Sequence, residues 1–110
     1  MNKIKIVLAD DHQLFRNGLR ILLDAFDDFE IAGEASNGEE VLDITAGTEC
    51  HIILMDIDMP VIDGIEATRR CIEIKPDIKI IALSMYGEEE YYHRMVEAGA
   101  KGFILKLLSQ

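Results

Sequence analysis

Ile52-Ile53-Leu54-Met55-Asp56 sets four apolar residues in succession and closes them with an acid. A strand apolar on both faces belongs in the middle of a parallel sheet, where neither side meets water. Working outward, Lys3 to Ala9 (KIKIVLA) reads as a first strand, with Ile4, Ile6 and Leu8 on one face and Val7 on the other. Phe15, Leu19, Leu22 and Phe26 then recur at three-to-four spacing, which predicts an amphipathic helix. Phe29 to Ala35 gives a second strand, and Asn37-Gly38 turn the chain into a helix carrying Val41, Leu42 and Ile44. Beyond the central run, a helix carries Ile65, Thr68, Cys71 and Ile72, and Pro76-Asp77 punctuate it before a buried strand at Lys79 to Leu83. A helix over about Glu88 to Ala98 stops at Gly99, and Phe103 to Leu105 form a fifth strand. Every gap between strands is long enough for a helical crossover. The sheet is therefore parallel, the crossovers right-handed, and the fold α/β with helices on both faces.

Composition agrees with one compact domain. The 110 residues suffice for a single continuous core, and nearly half of them are apolar. A formal charge of -10 disfavours nucleic-acid or acidic-membrane binding by this surface, and leaves metal cations and basic partners open. No apolar run approaches the roughly 20 residues of a membrane-spanning helix, and Met1 to Lys5 show no secretory signal. Cys50 and Cys71 lack metal-ligand spacing, which fits reduced thiols in a cytoplasmic protein.

In an open parallel sheet, function gathers at the carboxyl ends of the strands. Here strand one ends in Asp10 and Asp11, strand three in Asp56, strand four in Ser84 and strand five in Lys106. Three convergent carboxylates repel unless a cation joins them. Mg²⁺ suits such a site, because it accepts few protein carboxylates, keeps waters and binds phosphate oxygens. A carboxylate beside that ion can attack phosphorus to form an acyl phosphate, with the lysine neutralising charge on the transferred group.

The acidic pair Asp10-Asp11, LMDIDMPVIDG from Leu54 to Gly64, ALS ending at Ser84 and KGFILK from Lys101 to Lys106 together resemble the receiver domain of two-component response regulators. The resemblance spans essentially the whole chain. It implies a flavodoxin-like (CheY-like) doubly wound sheet of five parallel strands in the order 2-1-3-4-5. It also implies Asp56 as phosphoacceptor, Asp11 as a direct metal ligand, Asp10 as a ligand through water, and Asp58 as a ligand through its backbone carbonyl. Lys106 would pair with the phosphoryl group, Ser84 would be the switch hydroxyl and Phe103 the switch aromatic. The implied partner is a sensor histidine kinase, with self-catalysed gain and loss of the phosphoryl group instead of enzymatic turnover. DDHQLF and KGFILK look most like the NarL/FixJ subgroup, whose members carry a LuxR-type helix-turn-helix and control transcription.

Plainer roles compete at several positions. Asp10 or Asp11 alone could cap the first helix, and Asp63, with Gly64 behind it, is expected to cap the third. The Asp58 carboxylate is expected in solvent, and His12, His51 and His93 share no metal spacing. Glu88 to Glu90 read as a solvated first helical turn, and Tyr91, Tyr92, Met95 and Val96 as including core contacts. Met85, in a position that the family usually keeps small, is expected to slow phosphotransfer or hydrolysis. Only Leu107 to Gln110 follow Lys106, so residues 1–110 are expected to be a receiver lacking its final helix and any output domain. The face so bared would favour a homodimer. Two other functions remain in view. Asp56-Ile57-Asp58 faintly resembles the D-x-D of haloacid-dehalogenase-like phosphatases, and the same fold also serves interaction modules that are not phosphorylated.

Overall fold

The computed structural model describes residues 2–85 and 88–106. Its five strands are β1 (Ile4–Ala9), β2 (Phe29–Ala35), β3 (Ile52–Asp56), β4 (Lys79–Ser84) and β5 (Gly102–Leu105). They form one parallel sheet, as the reading of the strands requires, in the order β2-β1-β3-β4-β5 that the family resemblance implies. The helices are α1 (Gln13–Asp24), α2 (Gly38–Gly47), α3 (Gly64–Ile74) and α4 (Tyr92–Ala98), the last preceded by a 3-10 turn at Glu89–Tyr91.

Strand alternation divides the core in two. Val7, Ile53, Met55, Ile80 and Ala82 face one way and pack with Val41 of α2, Ala67 and Cys71 of α3 and Met95 of α4. Ile6, Leu8, Leu54 and Leu83 face the other way, against Phe15, Leu19 and Leu23 of α1. Leu22 and Phe26 were expected on that face, yet both are exposed. Steps of four residues from Phe15 lead to Leu19 and Leu23 along one stripe, whereas Leu22 falls beside it. The helix ends at Asp24, so Phe26 lies beyond it, its ring 5.8 Å from that of Phe29.

The expected helix over Glu88 to Ala98 is also shorter than its pattern. Its acidic start is a 3-10 turn, and the α-helix begins at Tyr92. Met95 is its buried anchor, with Tyr91 and Tyr92 partly buried against the core, while Val96 faces solvent. Gly99 stops it with φ 121°, in a conformation that L side chains rarely adopt. Asn37 and Asp63 cap α2 and α3, their side chains accepting from the amides of Glu40 and Glu66. Cys50 and Cys71 are buried free thiols. No described helix is long and apolar enough to cross a membrane. The segment on which the missing-helix expectation rests, 107–110, lies outside the described residues.

Candidate functional site

Backbone hydrogen bonds assemble the carboxyl rim strand by strand. The Asp10 amide donates to Ala35 O at 3.0 Å, Ile57 to Leu83 O at 3.3 Å and Lys106 to Ser84 O at 2.7 Å. Each tie carries the ladder one step past its strand, so the residues after the strand ends stay in register. Gly64 closes the loop after β3: its amide donates to Ile57 O at 2.8 Å. A Cβ on Gly64 would lie 2.0 Å from the carbonyl oxygen of Asp56, so the approach needs glycine. Within that loop the exposed Val61 holds φ 72°, which is strained for a β-branched residue.

The expected residues meet there. Asp10, Asp56, Ser84 and Lys106 are all buried, Asp56 being 1 % exposed and Lys106 3 %. The Lys106 ammonium lies 2.7 Å from Asp10 Oδ2, 3.6 Å from Asp56 Oδ2 and 4.8 Å from the centre of the Phe15 ring. Potential ligand atoms of Asp10, Asp11, His12 and Asp56 all fall within 4.8 Å of one another. Asp11 and the Asp58 side chain are exposed, and the backbone amide of Asp58 supports the Asp56 carboxyl. Asp10 does not cap α1. Its Oδ1 accepts from the His12 amide at 2.8 Å, and the helix start has no side-chain cap.

Burial pushes the Asp56 carboxyl up, and the neighbouring charge of Asp10 pushes it further, to about 8, against the opposing attraction of Lys106. Ionised, the three carboxylates exceed the single ammonium by two negative charges. Buried Asp56 Oδ2 accepts no hydrogen bond among the described residues. A small divalent cation with oxygen ligands would satisfy both the charge and the orphaned oxygen, and this donor set fits Mg²⁺.

One participant was not singled out in advance. His12 shares no metal spacing with the other histidines and its side chain is 52 % exposed, but Nδ1 lies 3.0 Å from Asp10 Oδ1 and 3.2 Å from Lys106 Nζ. Its adjacency to Asp11 was the available signal. His51 is structural, its Nδ1 accepting from the Lys5 amide at 2.9 Å, and His93 is exposed. Arg16 braces the rim from α1 by donating to Asp10 O at 2.5 Å and to Glu34 Oε1 at 3.0 Å. Arg20 also bonds Glu34. Burial alone would raise the Glu34 pKa, but the hydrogen bonds from Arg20 and Arg16 hold it below the usual carboxylate range.

On the β4 side, the Ser84 hydroxyl is 3.0 Å from that of Tyr92, whose ring stacks on Phe103 at 4.2 Å. Met85, half-buried, follows Ser84, and its amide donates to Glu88 Oε1.

A doubly wound parallel sheet with an acidic pocket and a buried lysine at its carboxyl rim defines a flavodoxin-like domain of the CheY-like class. The response regulator receiver domain model matches residues 6–110, and the chain belongs to that family. It is 41 % identical over 105 residues to the transcriptional regulatory protein DegU of Brevibacillus brevis, an alignment covering 96 % of this chain and 44 % of the relative. The chain thus spans about half the length of the curated relatives it matches. The receiver domain of the putative response regulator NarL from Mycobacterium tuberculosis superposes with TM-score 0.91 at 27 % identity, over 99 % of this chain and 88 % of that one. A LuxR-family two-component response regulator from Aurantimonas sp. SI85-9A1 gives TM-score 0.88 at 30 % identity, over 96 % and 75 %. These relatives agree with the NarL and LuxR character read from the motifs.

Proposed function

We propose that this receiver domain takes a phosphoryl group onto Asp56 from the phosphohistidine of a sensor histidine kinase, with Mg²⁺ as cofactor. The observation that carries the proposal is the buried Asp56 carboxyl, with an orphaned oxygen 3.6 Å from Lys106 and beside Asp10 and Asp11. Asp11, Asp56, the Asp58 carbonyl and, through water, Asp10 would hold the ion. When bound, Mg²⁺ restores the ionised form of the pocket and neutralises charge on the phosphoryl oxygens. An Asp56 carboxylate oxygen attacks phosphorus as the phosphorus–nitrogen bond to the donor imidazole breaks; the bonding pair stays on that nitrogen, and the ring leaves as neutral imidazole with the proton already on its other nitrogen. Lys106 moves its ammonium between Asp56 and the transferred group, and Ser84 donates its hydroxyl proton to one phosphoryl oxygen. Water later hydrolyses the acyl phosphate in the same pocket. The protein is thus both substrate and catalyst of its own modification, not a turnover enzyme.

Displacement of Ser84 and Phe103 then alters the face around α4 and β5. Dimerisation is the expected consequence. The printed names of two relatives point to transcription as the output, which we place in a cytoplasmic regulator and in a segment other than this domain. The test is labelling from acetyl phosphate with Mg²⁺: the chain should take up label, and Asp56→Asn should take up none. Equal labelling of the variant, or sustained turnover of a phosphomonoester by the parent, would replace this reading with another chemistry.

A further inference from the structure

The bond between Ser84 and Tyr92 sets a constraint that the acidic pocket alone does not. A serine hydroxyl has one proton to donate, whereas phosphoryl oxygens only accept. To meet a phosphoryl group, Ser84 must therefore aim its proton toward Asp56. The structure places its oxygen against a different partner, with either hydroxyl able to be the donor. Ser84 follows Leu83, the register partner of Asp56 on β4, yet among the described residues buried Asp56 Oδ2 takes no hydrogen bond, while the Ser84 hydroxyl lies 3.0 Å from that of Tyr92.

Tyr92 makes a second contact of equal consequence. Its ring stacks on Phe103 with a centroid separation of 4.2 Å and an interplanar angle of 29°. It is also the first residue of α4, a 7-residue helix without a side-chain cap, in which Met95 is the buried residue. An element with so few anchors opens at low cost, so a bond at its first residue forms a sizeable part of what holds it.

We propose that Tyr92 is a positioning residue for phosphoryl capture: it holds the Ser84 hydroxyl on the α4 side of the rim, and a phosphoryl group on Asp56 must take that hydroxyl from it. Losing Ser84 frees the Tyr92 hydroxyl and leaves the ring its stack on Phe103, which loosens α4. The inference rests on the phosphoacceptor reading and adds the cost of breaking this contact to phosphoryl binding. A neutral hydrogen bond of this kind corresponds to roughly a two- to tenfold effect on an equilibrium.

The test is a fluorine NMR titration with beryllofluoride and Mg²⁺ on the parent chain, Tyr92→Phe, Ser84→Ala and the double variant, each first checked for folding by circular dichroism. Tyr92→Phe keeps the ring and its stack but removes the hydroxyl, so it should bind beryllofluoride roughly two- to tenfold more tightly than the parent. In the Ser84→Ala background the same change should have no effect. Unchanged or weaker binding by Tyr92→Phe overturns the proposal, and so does an equal gain when Ser84 is absent, since Tyr92 would then act without it. Failure of the parent to bind beryllofluoride overturns the phosphoacceptor reading instead, which keeps the two failures apart. On the unsubstituted chain, beryllofluoride should speed amide hydrogen exchange in Tyr92–Ala98; equal or slower exchange there contradicts the release of α4.

Discussion

Replacing Asp56 by asparagine should stabilise the metal-free domain at neutral pH and leave it nearly unchanged in acid. The Asp56 carboxyl is raised to about 8 by burial and by Asp10, whereas an unfolded chain would leave it near an ordinary aspartate value of about 3.9. Between those two values the folded state binds the extra proton, so stability declines as pH rises through that window. At pH 7 the interval is about three units at 1.36 kcal/mol each, a ceiling of about 4 kcal/mol. Water entry and side-chain adjustment around the ionised carboxyl reduce it, and about 2 kcal/mol is the expected gain. For a domain of this size that corresponds to a rise in Tm of about 8 °C. The assay is thermal unfolding of parent and Asp56→Asn in a chelator from pH 4 to pH 8. At pH 4 the two curves should lie within about 2 °C, because the carboxyl is then neutral in the folded state and only about half ionised in the unfolded chain, a residual difference of about 0.5 kcal/mol. A gain of equal size at both ends, or none at pH 7.5, would refute the burial argument.

Four further outcomes follow from the same geometry. Lys106→Ala leaves Asp10 and Asp56 buried without their cation and should cost about 3 kcal/mol by urea unfolding at pH 7; a loss below about 1 kcal/mol would contradict the ion pair's buried character. Gly64→Ala drives a Cβ to 2.0 Å from the Asp56 carbonyl and should cost about 3 kcal/mol while also lowering Mg²⁺ affinity in calorimetry. Val61→Asn relieves a β-branched residue at φ 72° and should gain about 1 kcal/mol, read as a higher urea midpoint at unchanged slope. Met85→Ala should speed phosphorylation by acetyl phosphate or loss of the label, and unchanged rates for both would remove Met85 as an obstruction.

The fold was legible because its signals are local and mutually consistent. Four apolar residues before Asp56 require a central strand, and the crossover lengths require parallel neighbours, from which one rim follows. The acids, Ser84 and Lys106 were legible for the same reason: each ends a strand or follows one within two residues. The remainder depended on directions that spacing does not carry. The choice between Leu22 and Leu23 turns on where α1 is rotated against the sheet, and Phe26 on where that helix stops. His12 lacks a second histidine at metal spacing, so only the turn into α1, which folds its ring back over Asp10, brings it to the pocket. Tyr92 reaches Ser84 because the chain tightens into a 3-10 turn before α4, a change of pitch that the run Glu88-Glu89-Glu90 did not announce.

These features centre on one covalent event at one side chain. The most direct measurement is chemical trapping: phosphorylation with a small-molecule phosphodonor and Mg²⁺, borohydride reduction of the acyl phosphate, and peptide mass spectrometry. Asp56 should be converted to homoserine, neither Asp10 nor Asp11 should be, and chelation of Mg²⁺ should abolish the product. Trapping at Asp10 or Asp11, or an unreduced Asp56 in a chain that has taken up phosphate, would contradict it.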